Sequence, residues 1–422
     1  MKKYAIFGNP VIHSKSPQIF TSLFKEFGQS NIYKRIKVNE ASEILDIFDQ
    51  YDLSGANITS PFKETILPLL DKIDNVAKEI NAVNTVIKKG DHYYGFNTDV
   101  YGVENAIINN GLSVKNNKCI VLGAGGAAKA AIYTLKSLGA LVYSANRTDS
   151  RSLEISKKFN CDHIMFKDLV DLVQDSYLFV IAVPKLDIDL KVKNTIILDA
   201  NYHTRIIQGD GLRIIDGNEW LINQASKSFE IFFDKTPNQL KMKQTLTTTL
   251  RPSNIAMIGM PSVGKSFYGK KLAAKLNKAF YDTDELIEKR SGLSIREIFE
   301  KYGEKRFREY EEEVISELSS FENTIVAFGG GSILSLKVRD ILEKNYYVIN
   351  LHIGLDKLEK MFYSNENIEN RPLLSLGHLK QDIVSIFESR KEYYISLSDL
   401  TINLSNDNYE DNANEILKEL LV

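Results

Sequence analysis

Strand-like and helix-like runs alternate along the chain. The alternation predicts an α/β protein built on parallel sheets with helices on both faces. Three observations carry this expectation. Short apolar, strand-type runs recur between amphipathic helical patterns nearly from end to end. Two of them, "CIVLGAGGAAKAAIYTL" at 119–135 and "NIAMIGMPSVGKSFYGKKLAAKL" at 254–276, end in glycine-rich turns that open helices. A content of 43% hydrophobic and 26% charged residues is that of packed globular domains. The length of 422 residues corresponds to roughly three domains.

The elements follow in order. Strands are expected at 4–8, 33–38, 56–59 and 84–89, with helical patterns at 16–27 and 40–50. A second unit starts near 117 with "KCIVLG" and continues through "ALVYSANR", "LFVIAVP" and "TIILDAN"; a third starts near 254. The expected domains are 1–100, with return helices at about 222–245, then 101–221, then 254–422. The polar, Thr-rich stretch 236–253, "TPNQLKMKQTLTTTLRPS", reads as the linker.

Composition excludes several classes. A net charge of −2, from 53 basic and 55 acidic residues, gives no footprint for nucleic acid or an anionic membrane surface. Cys119 and Cys161 stand far apart in no ligand pattern, so a reducing compartment is expected, with neither disulfide nor zinc. The start has no sustained apolar core, which argues against a signal peptide. No run approaches the roughly 20 apolar residues of a membrane span. A cytoplasmic location is expected.

The turn at 259–266 holds Gly259, Gly264, Lys265 and Ser266 in the spacing GxxxxGK(S/T). Backbone N–H groups of such a turn point into one concavity, and the following helix adds positive potential. Lys265 would reach the β- and γ-phosphates of a nucleoside triphosphate. Ser266, assisted by Asp282, would hold Mg²⁺. Asp282 and Asp284, two apart, are expected to project from a strand end, one serving the metal and one an acceptor hydroxyl. Downstream lie Arg308 on a helix, the triplet Gly329, Gly330 and Gly331, Arg371 in "YSNENIENRPLL", and Arg390 in "ESRKEYY". Two guanidinium groups suit a small carboxylate, because bidentate pairs fix orientation. Taken alone, Arg308 reads better as a surface partner of Glu311 or Glu312; only the company of the other motifs favours a binding role.

These residues together resemble shikimate kinase over about 253–422. The resemblance implies that Asp284 holds the ring hydroxyls and that Arg308 and Arg390 grip the substrate carboxylate. It also implies that Gly329–Gly331 line the acceptor pocket and that Arg371 closes over the phosphates. One departure is visible: "LEKMFYS" carries Lys360 and Met361 where the family places an arginine against adenine.

The turn "GAGGAA" supplies Gly123, Gly125, Gly126, Ala127 and Ala128 between a strand and a helix, a dinucleotide-type pattern. About 20 residues on, a second strand ends in Asn146, Arg147 and Thr148. A basic residue there accommodates a 2′-phosphate, which points to NADP(H) over NAD. Upstream, "NPVIHSKSPQIF" offers Ser14 and Ser16, "GANITSPFKET" offers Asn57, Thr59 and Lys63, "NAVNTV" offers Asn84, and "GFNTDVYG" offers Asn97 and Asp99. Each has a plain structural reading: Ser14 and Ser16 as a helix cap, Lys63 as a surface lysine, Asp99 as a cap.

These segments resemble shikimate dehydrogenase over about 1–245. The resemblance implies that Lys63 and Asp99 are the catalytic pair. It places substrate contacts at Ser14, Ser16, Thr59, Asn84 and Gln224, with Tyr202 near the carboxylate. Three departures stand out. "IAVPKLD" around Val183 lacks the family's Asn-Ala-Thr-Pro-x-Gly. Glu219-Trp220 replaces Gly-Met, and no proline follows Tyr202. The first two elements line the nicotinamide pocket in the family.

The combined expectation is a two-step enzyme. NADPH-dependent reduction of 3-dehydroshikimate would give shikimate, and ATP with Mg²⁺ would convert that to shikimate 3-phosphate. Three alternatives stay open: an active kinase fused to a degenerate or regulatory dehydrogenase-like module, a quinate/shikimate-type dehydrogenase half using NAD, or a second half that is another small-molecule or nucleotide kinase. The expected partners are small molecules, with no nucleic acid and no membrane. Oligomeric state is not legible.

Overall fold

The computed structural model describes residues 1–186, 194–201, 213–246, 253–363, 378–406 and 408–421. They form two units, one of residues 1–4, 15–33 and 53–248 and the other of 5–14, 34–52 and 249–422.

The first unit carries a six-stranded parallel sheet. Its order is Ile214–Ile215, Ile196–Asp199, Leu178–Ile181, Lys118–Leu122, Leu141–Ala145, Asp162–His163. The first strand in sequence thus lies at the centre, and the chain runs outward on both sides of it. In such a doubly wound sheet, the reversal of strand order beside the central strand opens a crevice at the strands' carboxyl ends. The centre is β-rich and apolar, as a strand covered on both faces must be. Side-chain alternation splits it: Cys119 and Val121 enter one core with Ile132 and Leu135, while Ile120 and Leu122 enter another with Val173 and Phe179.

The same unit holds the antiparallel strands Gly55–Ile58, Thr85–Lys89 and His92–Phe96, with Lys72–Ile73 parallel at the edge. The sequence reading placed a strand at 84–89 but no partner behind it. The hairpin turns at Gly90, whose φ of 61° suits a residue without Cβ. Part of the stretch read as a linker is helical. Gln239–Thr245 is capped by Asn238, whose side chain accepts the N–H groups of Leu240 and Lys241, and Met242 is fully buried.

The second unit has a parallel sheet ordered Ala279–Asp282, Thr324–Ala327, Asn254–Gly259, Tyr346–His352, Leu400–Asn403. Beyond it, Arg35, Ile36 and Lys37 pair in parallel with Leu400, Thr401 and Ile402. Again the first long strand is central and ends in a glycine turn, the place where a doubly wound sheet binds ligands. Among the described residues no helix is long and apolar enough to cross a membrane. Cys119 and Cys161 are free thiols, and burial pushes the Cys119 thiol up to about 12.

Candidate active sites

In the first unit, the turn that begins at Thr59 carries Lys63: Phe62 N–H bonds to the Thr59 carbonyl at 2.9 Å. Lys63 Nζ lies 2.6 Å from Asp99 Oδ2, with the two side chains 16% and 6% exposed. Lys63 is therefore no free surface lysine. Asp99 opens the helix Asp99–Asn109 but does not cap it, since the N-cap is Thr98. Its carboxylate is spent on Lys63. Asn97 Oδ1 accepts the Asp99 N–H at 3.0 Å and so fixes the start of that helix.

The glycine turn meets this pair. Gly126 opens the helix Gly126–Ser137. A Cβ on Gly126 would stand 3.1 Å from the Cβ atoms of both Lys63 and Ala82, so the bare backbone lets the turn lie on the lysine stem. Gly123, at φ 135°, passes the Ala182 carbonyl so closely that a Cβ would fall 2.8 Å from its oxygen. Nothing stands within 4 Å of the Cβ position on Gly125, so that edge is open to a ligand. Ala127 is partly buried against the core. Arg147 is exposed between the strand Leu141–Ala145 and the helix capped by Thr148, and Asn146 Nδ2 closes that turn on the Thr148 carbonyl at 3.1 Å.

Asn84 is buried in a polar network. Its Oδ1 accepts from Thr98 N–H at 2.8 Å, while its Nδ2 faces Thr98 Oγ1 at 3.0 Å and Gln224 Oε1 at 3.3 Å. Thr85 and Ser228 extend the network. Ser16 is buried at the start of the helix Ser16–Glu26, which has no side-chain cap, so the capping role read for the serine pair is not the one adopted. Ser14, in the second unit, is also buried. Trp220 buries itself in the parallel-sheet core and covers Gly102, where a Cβ would fall 2.4 Å from the indole. Glu219 forms an ion pair with Lys243. The Val183 carbonyl accepts Asn201 Nδ2 at 2.9 Å.

In the second unit a cleft of about 340 Å³ is lined by Pro261, Gly264, Lys265, Ser266, Asp282 and Asp284, among others. Gly259 and Gly264 have φ of 141° and 94°; a Cβ would meet the Leu351 carbonyl oxygen at 2.5 Å or the Tyr268 ring at 2.8 Å. Lys265 opens the helix Lys265–Leu276 and bonds back to the Gly259 and Met260 carbonyls at 3.1 and 3.0 Å. Ser266 Oγ donates to Asp282 Oδ2.

The two aspartates divide differently from the strand-end reading. Asp282 ends its strand and caps the helix Thr283–Ser291, its Oδ1 accepting Asp284 N–H at 2.9 Å. Asp284 therefore sits in the first helical turn. The cause is local: a carboxylate at an N-cap satisfies amides that otherwise lack partners.

The acceptor side gathers around the glycine triplet. A Cβ on Gly329 would stand 2.8 Å from Glu311 Oε1 and 3.0 Å from Asp284 Oδ1; one on Gly331 would stand 2.5 Å from the Arg308 guanidinium. Gly330 is fixed by its carbonyl, which accepts from Arg390 Nη1 at 3.0 Å and Tyr394 OH at 2.7 Å. Arg308 pairs with Glu304 and Glu311. Glu312, its other sequence-level candidate, accepts Ser335 Oγ at 2.6 Å instead. Glu311 is 1% exposed and bridges Arg308 Nη1 at 2.8 Å to Ser332 Oγ at 2.6 Å. Burial pushes its carboxyl up, against the charge and hydrogen bonds of Arg308 and Ser332.

Asp284, Arg308, Gly329, Gly330, Gly331 and Arg390 are thus brought together. Tyr202 and Arg371 lie outside the described residues. Sequence reasoning missed Thr98 and Glu311 as organisers. Thr98 stood between two chosen residues, and Glu311 entered only as a surface partner of Arg308. Among the described residues no three His, Cys, Asp or Glu gather to hold a metal ion. Ser266 with Asp282 fits Mg²⁺ that keeps waters and substrate oxygens, its usual habit. The open Gly125 edge fits a pyrophosphate, and exposed Arg147 fits a 2′-phosphate.

Comparison with known proteins supplies the context. The family model for the shikimate dehydrogenase substrate binding domain matches residues 6–86, and that for shikimate kinase matches 261–421. The chain is 33% identical over 249 residues to the shikimate dehydrogenase (NADP(+)) of Aquifex aeolicus, covering 54% of this chain and 90% of that one. It is 30% identical to the enzyme of that name from Pyrococcus abyssi, covering 58% and 97%. The Thermus thermophilus shikimate 5-dehydrogenase, solved with NADP(H) and shikimate, aligns at a TM-score of 0.53 with 26% identity, covering 58% of this chain and 98% of that one.

Proposed function

The chain belongs to the shikimate dehydrogenase family and carries a shikimate kinase domain at 261–421, and on that premise we propose that it performs both reactions in sequence. 3-Dehydroshikimate is reduced to shikimate with NADPH, and shikimate is phosphorylated to shikimate 3-phosphate with ATP and Mg²⁺. The observation that carries the reading is that each glycine turn opens beside acid–base groups of its own. Gly126 lies against the Lys63–Asp99 pair, and Gly264–Ser266 share a cleft with Asp282 and Asp284. Residues 1–100 with the helices at about 222–245 hold the shikimate ring, 101–221 hold NADP(H), and 254–422 form the kinase. The site is cytoplasmic and serves small molecules.

In the first reaction NADPH supplies the hydride. Asp99 holds the Lys63 ammonium in place. Lys63 donates a proton to the alkoxide that develops as the ketone is reduced. Asn84 and Gln224, fixed through Thr98, present amide groups to ring hydroxyls, and Ser14, Ser16 and Thr59 add hydroxyl contacts. Tyr202, outside the described residues, is assigned to the carboxylate by the family resemblance alone. Arg147, with Asn146 and Thr148, receives the 2′-phosphate. Trp220 packs into the parallel-sheet core and Glu219 pairs with Lys243, and the Lys63–Asp99 pair is formed beside these departures from the family pattern.

In the second, ATP supplies the phosphoryl group. The turn from Gly259 to Lys265 would cradle phosphate and Ser266 with Asp282 would hold Mg²⁺, while Arg371, outside the described residues, is assigned to the phosphates by the family resemblance alone. Asp284 accepts the proton of the attacking hydroxyl. Arg308 and Arg390 orient the carboxylate beside Gly329–Gly331.

The test uses two assays on one purified protein. NADP⁺ reduction with shikimate should vanish in Lys63→Ala and persist in Lys265→Ala. Shikimate-dependent ADP release should show the opposite pattern. A wild-type protein that releases ADP with shikimate but never reduces NADP⁺ would overturn the dehydrogenase half of the reading.

A further inference from the structure

The last described helix, Tyr409–Leu420, ends in a buried acid. Glu419 is 1% exposed, and its Oε1 accepts two consecutive backbone amides, Val11 N–H at 2.7 Å and Ile12 N–H at 2.5 Å. Val11, Ile12 and Glu419 all belong to the second unit. The same short loop is held again two residues on. Arg35 donates to the Ser14 carbonyl from Nε at 3.0 Å and from Nη2 at 2.6 Å. Ser14 N–H closes the turn on the Val11 carbonyl at 3.0 Å. One helical turn before Glu419, Glu415 pairs with buried Lys37 at 2.6 Å, which anchors the helix to the strand that carries Arg35.

Burying a carboxylate is costly unless its oxygens are satisfied. Glu419 Oε2 is buried with no hydrogen-bond partner among the described residues. Burial pushes the carboxyl up, against the two amide bonds and the charges of Lys37 and Arg35. A carboxylate oxygen that takes two adjacent amides does one thing an apolar residue cannot: it fixes the orientation of both peptide planes. Those planes lead directly into Ser14.

We propose that Glu419, on the helix at the far end of the kinase sequence, is a positioning residue for shikimate binding in the dehydrogenase reaction. It acts by holding the Val11–Ser14 loop. The inference rests on the reading that Ser14 contacts shikimate.

The experiment measures both reactions in the full chain for Glu419→Ala, Glu419→Gln and Ser14→Ala. In Glu419→Ala the dehydrogenase KM for shikimate should rise roughly tenfold, with kcat and the KM for NADP⁺ within about twofold of wild type. The kinase constants should not move, which also reports that the second unit is folded. Glu419→Gln keeps an oxygen acceptor for both amides and should restore the KM. If Glu419→Ala does not fold, Glu419→Met, which keeps the aliphatic stem, takes its place. A raised KM in Ser14→Ala with an unchanged KM in the Glu419 variants would overturn the inference and leave the Ser14 reading standing. An unchanged KM in Ser14→Ala would overturn the Ser14 reading itself. Equal loss of both activities would reduce Glu419 to a structural residue.

Discussion

Replacing Glu311 by leucine tests how the kinase half recognises its acceptor. Leucine fills a similar volume, so packing is largely kept. The carboxylate that joins Arg308 Nη1 at 2.8 Å to Ser332 Oγ at 2.6 Å is removed. Arg308, 20% exposed, keeps its pair with Glu304 and would swing toward it and solvent. One charge-assisted hydrogen bond contributes about 1.5–3 kcal/mol. If that energy holds the guanidinium beside Gly331 and Gly329, its loss should raise the kinase KM for shikimate about 10- to 100-fold. Glu311→Gln can keep an oxygen on Arg308 and an amide on Ser332, at roughly half the strength, and should fall between. The assay is coupled ADP release against varied shikimate. The KM for ATP should change by less than about twofold, since the phosphate cradle is untouched. Dehydrogenase activity of the same preparation serves as the control for folding. A folded Glu311→Leu protein with wild-type KM for shikimate would refute the reasoning.

Two further predictions concern pH and cofactor choice. His352 is buried, with Nδ1 3.1 Å from Tyr51 OH, and burial lowers its pKa from the ordinary 6.5 to about 4. The unfolded chain binds the extra proton first as pH falls. Stability from the neutral ring is therefore full above about 6.5 and is lost as pH drops from 6.5 towards 4, by about 3 kcal/mol in all. Thermal melts across that range should show a shallower loss for His352→Asn than for wild type, and parallel curves would rule the ring out as the cause. Arg147→Asp should raise the KM for NADP⁺ by about 10- to 100-fold and leave NAD⁺ turnover intact or improved. Unchanged NADP⁺ kinetics would remove Arg147 from the cofactor contacts.

What the sequence made legible was local. The turns Gly123–Gly126 and Gly259–Ser266 each lie within one strand-turn-helix stretch, so their spacing determines their geometry. The residues around Lys63 and Asp99 were recognisable as a set, although they are separated by 36 positions. What escaped was set by distant contacts or by a single cap. Glu311 reads as one more acid on a charged helix until Gly329 and Ser332 approach it. The polar stretch at 236–253 hides a helix that depends on Asn238 as its cap and on Met242 finding a core. Asp284 moved from a strand end into a helix because Asp282 captured its amide. Glu419 carries no motif, and its contacts lie 407 and 408 positions away.

The most direct test of the central claim supplies 3-dehydroshikimate, NADPH, ATP and Mg²⁺ to the purified chain with no other enzyme. Proton and phosphorus NMR then follow the products. The account predicts shikimate 3-phosphate, with one NADPH oxidised and one ATP consumed for each molecule formed. If the ketone persists, NADPH is not oxidised, and only added shikimate is phosphorylated, the chain is a kinase with a silent partner and the two-step account is wrong.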